Sequence, residues 1–183
     1  NEGQSLAHQR LIAQELYSFS LGVASRKEKR LRRKGQAVVT SDQLREQLRS
    51  YLPFTLTPSQ RRSFKEIADD LRSGKVMNRL LQGDVGSGKT LVAFLAMAMV
   101  AETGGQAALL VPTEVLARQH VATFRKLLGE RSNALQVLLG GMKAAEKKEA
   151  LLRIQSGEAR YIIGTHAIFQ EMVKFHALQL VVV

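Results

Sequence analysis

The stretch LLQGDVGSGKT, residues 80–90, constrains this chain more than any other. Gly83, Asp84, Val85, Gly86, Ser87, Gly88, Lys89 and Thr90 fit the phosphate-binding pattern GxxxxGK[ST] in full. An apolar run precedes them and an Ala-, Leu- and Met-rich helical run follows, the strand–loop–helix context that gives the pattern its meaning. The glycines let the backbone curl until successive N–H groups point inward. The start of the next helix adds its own unpaired amides, so the loop is a nest for anions. Lys89 is expected to reach the outer phosphates, and the Thr90 hydroxyl to hold Mg²⁺. The implied ligand is a nucleoside triphosphate. A dinucleotide site is excluded because GxGxxG is absent from this turn.

Hydrolysis needs a further acid at the end of a second strand. Asp84 lies inside the loop, and Glu114 follows a Pro-Thr pair where it serves equally as a first-turn helix acid. The better place for that acid is just after the terminal LQLVVV. This run ends the chain as an apolar strand with no turn or helix behind it. The expectation is therefore part of a longer protein, which alone binds nucleotide weakly and hydrolyses it negligibly.

Apolar spacing and turn residues predict helices over 5–34, 42–50, 58–71, 89–102, 114–128 and 142–155, with a helical turn at 167–173. Ser41, Thr57 and Thr113 are the expected N-caps, with Pro58 at a first helical position. Gly22 is a possible break or kink. Strands are predicted over 76–82, 106–111, 134–139, 160–164 and 178–183. The first of these should bury Met77, Leu80 and Leu81. Near-continuous apolar strands alternating with helices predict an α/β fold, a mostly parallel sheet covered on both sides. The compact α/β domain should span 51–183, with 1–50 a separate helical appendage.

Lys and Arg outnumber Asp and Glu by 27 to 16, a net charge of +11 that favours polyanions. Three Tyr, seven Phe and no Trp advertise no base-stacking platform, so contact through a phosphate backbone is the natural mode. Within RKEKRLRRK, residues 26–34, seven of nine side chains are basic, among them Arg30, Arg32 and Arg33. Three readings stay open for this run: DNA, an acidic face elsewhere in a longer protein, or a solvated helix end. No cysteine is present, which excludes disulfides and thiolate chemistry, and the four histidines are too scattered for a metal site. No apolar run reaches the ~18 residues of a membrane span. The N-terminus has no secretory h-region, so a cytoplasmic location is expected.

Four segments together, FTLTPSQ, LLQGDVGSGKT, PTEVLARQH and YIIGTHAIFQ, resemble the superfamily 2 helicases and translocases, most nearly the bacterial branch that acts on branched DNA. The resemblance implies a P-loop NTPase of RecA-like fold, truncated within the first motor domain before its acidic Mg²⁺-binding motif, behind an N-terminal helical linker. It implies ATP and Mg²⁺ as cofactors, with Gln60 recognising adenine and Phe54 near the base edge. It further implies DNA-backbone contacts at Pro112, Thr113, Glu114, Gln119 and His120, and at Gly164, Thr165 and His166. Without the resemblance, Gln60 is an ordinary helix residue, Thr113 a cap, and His120 an interior or neighbouring side chain. The implied partners are branched or double-stranded DNA and the wedge and second motor domains of the same protein. The implied activity is that of an ATP-dependent DNA helicase, monomeric and associated with the bacterial nucleoid. Transcription-repair coupling translocases and primosomal helicases share parts of the pattern. A basic phosphate-loop fragment that binds DNA without catalysis is the remaining alternative.

Overall fold

The computed structural model describes residues 6–31 and 35–183. Its elements in chain order are α1 (Leu6–Leu31), α2 (Asp42–Ser50), α3 (Pro58–Arg72), α4 (Lys89–Ala101), β1 (Gln106–Leu110), α5 (Glu114–Leu128), β2 (Leu135–Leu138), α6 (Ala144–Ser156), β3 (Tyr161–Gly164) and β4 (Leu178–Val182). Two 3₁₀ turns, Gly129–Ala134 and His166–Phe169, lead into β2 and out of β3.

The helix starts follow from local chemistry. Ser41 Oγ accepts the Leu44 amide at 3.1 Å and Thr113 Oγ1 accepts the Leu116 amide at 3.3 Å, each satisfying a donor that the first turn leaves free. At α3 the exchange is reciprocal. Thr57 Oγ1 accepts the Gln60 amide at 3.2 Å, and Gln60 Oε1 accepts the Thr57 amide at 3.0 Å.

The four strands pair in parallel in the order β2-β3-β1-β4. Alternation then sorts their side chains. Ala107, Leu109, Tyr161, Ile163 and Leu180 face a core shared with α3, α4 and α5. Ala108, Leu138 and Ile162 face Ala150 and Ile154 of α6 on the opposite side. The result is three layers, the α/β architecture read from the sequence. Helix α4 is the centre of the larger core. Every residue from Phe94 to Ala101 is buried, and the Phe94 ring meets Tyr51 and Phe124 edge-on at 5.6 and 5.0 Å.

Helix α2 packs on this same core through Leu44 and Leu48. A polar cluster fastens it at the far end of α4. Glu102 accepts hydrogen bonds from Tyr51 and Gln47, and from Tyr161 Oη at 3.2 Å. Arg131 donates to Tyr51 Oη at 2.8 Å and lies over the Tyr51 ring. Burial first, and Glu102 second, raise the Tyr51 pKa; burial likewise raises that of Tyr161, so both hydroxyls stay protonated and act as donors.

Two sequence expectations are corrected here. Residues 76–82 form no regular strand: Leu80 is 85% exposed, and Met77 and Leu81 are only half-buried. A strand needs a neighbour to take its ladder hydrogen bonds. β1 is paired on both sides, so the open place is the outer edge of β4, and there segment 76–82 and β4 line a common cavity of about 720 Å³ with no ladder between them. Gly22 neither breaks nor ends α1, which runs through it; one glycine costs a helix only about 1 kcal/mol. The apolar side chains described between Leu11 and Val23 of α1, including Leu16, Tyr17 and Phe19, are exposed. Elsewhere the strands are shorter than expected by one or two residues, and α6 begins two residues later than the spacing suggested.

Candidate functional site

The phosphate loop follows the irregular segment 76–82 and delivers the chain into α4. Gly86 and Gly88 take φ of +83° and +84°, a region costly to any residue with a Cβ. Gly88 is the N-cap of α4, and no side chain caps that helix. Its Lys89 and Thr90 amides are therefore left for a ligand, where the helix dipole favours negative charge, while the Leu91 amide donates to the Gly88 carbonyl. Lys89 Nζ lies back over the loop, donating to the carbonyls of Gly83 and Asp84 at 2.7 Å each. Amides, one ammonium and the adjacent Thr90 hydroxyl form a donor set suited to a polyphosphate. Val85 projects fully into solvent at the loop's tip.

Gln60 has a second use that local sequence reasoning missed. Its Nε2 donates to the Ser87 carbonyl at 2.9 Å, while Oε1 closes the α3 cap. A Cβ added to Gly88 would lie 2.3 Å from that same Nε2. The start of α3 is thus fitted to the phosphate loop. Phe54 is exposed on the segment leading into α3.

The remaining predicted residues gather at the C-terminal ends of the strands, where open parallel sheets place their ligands. Lys89, Thr90, Pro112 and His120 line one cavity with the end of β4. His120 is half-buried, and that burial lowers its pKa. A second group forms around Glu114. Its Oε1 accepts the Gly141 amide at 3.0 Å, and a Cβ on neighbouring Gly140 would sit 3.8 Å from His166 Cε1. The Gly140–Gly141 turn was not singled out in the sequence; two glycines directly after a strand were its one signal. Thr113 and Gln119 are exposed on α5, and His166 is exposed at the end of β3. Thr165 is 3% exposed, and its Oγ1 has no partner among the described residues. Gly164 has a packing requirement of its own: a Cβ there would lie 2.1 Å from the Leu138 carbonyl oxygen. Arg32 and Arg33 lie outside the described residues, and Arg30 is placed only as part of the α1 backbone.

Residues 57–183 match the DEAD/DEAH box helicase family, from the Thr57 cap through the phosphate loop to β4. The chain belongs to that family. Among curated proteins this DEAD/DEAH box helicase chain is similar to the ATP-dependent DNA helicase RecG of Streptococcus pneumoniae, 44% identical over 97% of the chain and 26% of the relative. The RecG of Aquifex aeolicus is 38% identical over the whole chain and 23% of the relative. The chain thus spans about a quarter of the length of the curated relatives it matches. A solved structure of RecG bound to a three-way DNA junction superposes with a TM-score of 0.85 at 39% identity, over 94% of this chain and 24% of that one. A hypothetical ATP-dependent RNA helicase from Sulfolobus tokodaii, 17% identical with a TM-score of 0.50 over 69% of this chain and 34% of that one, shares the fold.

Among the described residues of this helicase chain, no helix is long and apolar enough to cross a membrane. No three His, Asp or Glu side chains among them gather as a metal site.

Proposed function

We propose that this chain supplies the nucleotide-phosphate cradle, and part of the DNA-backbone contact, of an ATP-dependent helicase that remodels branched DNA. The supporting observation is the loop 83–90 curled at the uncapped start of α4 with the Lys89 ammonium lodged over it. Gly83, Gly86 and Gly88 with Lys89 would hold the triphosphate, and the Thr90 hydroxyl would hold Mg²⁺. Gln60, already in contact with Ser87, is the residue to recognise adenine, with Phe54 near the base. ATP supplies the phosphoryl group whose transfer drives the motor. The protein's part here is orientation by amides and offsetting of charge by Lys89.

DNA is the proposed polyanionic partner, in keeping with the +11 charge and with the junction held by the similar RecG. Pro112, Thr113, Gln119, His120 and His166, with Arg30, Arg32 and Arg33, would meet its backbone, and buried Thr165 would act by positioning His166. Glu114 acts indirectly by holding the Gly140–Gly141 turn. Residues 51–183 would form most of a first motor domain, and 1–50 the linker to a DNA-gripping wedge domain. A second motor domain of the same polypeptide would close the ATP site. The intact protein would be a cytoplasmic, nucleoid-associated monomer.

The test is nucleotide titration of the 183-residue chain. Lys89→Ala should weaken ATP binding at least about tenfold, by loss of charge-assisted contacts, with phosphate release near background in both proteins. Equal ATP affinity in the two proteins would overturn the cradle. Turnover that Lys89→Ala abolishes would overturn the view that the hydrolytic acid lies outside this chain.

A further inference from the structure

We propose that the cleft between α2, α3 and α4 is a second ligand site, for a small amphipathic anion. The cleft encloses about 740 Å³, within the range of pockets that hold drug-sized molecules. Its accessible apolar wall is Leu52, Phe54, Leu56 and Phe64, over a floor of side chains already buried in the core. Its edge is cationic. Of four arginines lining it, Arg45 is paired with Asp42 and Arg72 with Asp69. Arg49 and Arg61 line the same cleft, and their side chains form no ion pair or hydrogen bond among the described residues.

An apolar wall beside two unpaired guanidinium groups selects one chemistry. A flat hydrophobic body is desolvated against the leucines and phenylalanines. A single carboxylate, sulfonate or phosphate group then meets Arg49 and Arg61 at the mouth. A neutral apolar ligand would leave those charges without use, and a fully polar anion would leave the wall wet.

The cleft is separate from the phosphate cradle. Neither Gln60 nor any residue of 83–90 lines it. Leu95 and Met99 lie about 9 and 15 Å along α4 from Lys89, at 1.5 Å per residue. Phe54 is the one lining residue that also belongs to the proposed base end of the nucleotide site, so the experiment includes nucleotide competition.

The probe is anilinonaphthalene sulfonate, an apolar aromatic anion whose fluorescence rises on leaving water, titrated into the 183-residue chain. Saturable binding of one probe per chain is expected. Arg49→Ala and Arg61→Ala, both exposed positions, should each weaken it about five- to tenfold. Leu16→Ser, on the exposed apolar face of α1, should leave it unchanged, as should excess ADP. Loss of binding in Leu16→Ser with retention in both arginine variants would place the probe on α1 and overturn the proposal. Displacement by ADP would show the cleft to be the base end of the nucleotide site, and absence of saturable binding would show it to be no site at all. Failure of the cradle itself would appear only in the Lys89→Ala titration.

Discussion

Removing the Glu102 carboxylate should loosen α2 from the α/β core, and the structure sets the size of the effect. Glu102 serves three donors, Gln47, Tyr51 and Tyr161. Gln47 can turn to water, and Tyr51 keeps Arg131 at 2.8 Å. Tyr161 is 1% exposed, so its hydroxyl has no route to solvent and loses its carboxylate partner. Leaving a buried polar group short of a partner costs about 1–3 kcal/mol. With the weaker losses at Gln47 and Tyr51, Glu102→Ala should cost about 3 kcal/mol. That is a large part of the ~5–15 kcal/mol that holds a domain folded. Urea unfolding should show a lower midpoint with an unchanged slope, and trypsin should cut faster at Arg45 and Arg49 of α2. A double-mutant cycle isolates the cause. Tyr161→Phe should cost about 1 kcal/mol beside Glu102 and should regain stability beside Ala, because the hydroxyl it removes is then a buried group short of its partner. Equal costs in the two backgrounds would refute the assignment of Glu102 as the acceptor that Tyr161 depends on.

Other perturbations have opposite signs. Gly164→Ala should abolish soluble expression or cost more than about 3 kcal/mol, since its Cβ would meet the Leu138 carbonyl oxygen at 2.1 Å and force β2 from β3; thermal unfolding measures it. Gly22→Ala meets nothing within 4 Å in the middle of α1. It should raise helicity by circular dichroism, with a gain of about 0.5–1 kcal/mol in that helix. For His120, burial depresses the folded-state pKa below the ordinary 6.5. Its neutral form is favoured in the fold, so the associated stability is complete above about pH 6.5 and is lost as pH falls through the depressed value. Urea midpoints between about pH 5 and 8 should show this loss in the native chain and a flatter profile in His120→Asn.

What was legible in the sequence was what is local. Ser41, Thr57 and Thr113 each place a side-chain oxygen three residues before an amide it can accept, so α2, α3 and α5 begin where their caps predict. The phosphate loop is eight consecutive residues, and of its two glycines at positive φ the pattern fixes Gly88 and leaves Gly86 open. The strand expected at 76–82 failed because an apolar run reports the wish to be buried and not the presence of a pairing partner. Gln60 illustrates the same limit within the site. Its cap to Thr57 is readable three residues away, whereas its bond to Ser87 spans 27 residues and depends on the packing of α3 against α4. Glu114 is the first-turn acid of α5 that the sequence indicated, and its oxygen also holds a turn 27 residues later, which no local pattern announces.

The Gln60–Ser87 bond and the Glu102 cluster lie at the two ends of one helix. α4 is 13 residues long, about 20 Å at 1.5 Å per residue, with the phosphate loop at one end and Glu102 at the other. Each end is tied to the segment between residues 42 and 72. Gln60 holds Ser87 at the start, and Gln47 with Tyr51 holds Glu102 at the finish. Between them α4 is buried against the sheet and cannot bend without opening the core. A change in the phosphate loop therefore has two outlets. It either breaks the Gln60–Ser87 bond, a single neutral hydrogen bond worth about 1 kcal/mol, or carries α3 with it. The Glu102 end is held by three donors and is the stiffer of the two. Motion that begins at the loop should thus appear first at Gln60 and the start of α3, with α2 and the C-terminal end of α4 as the fixed point.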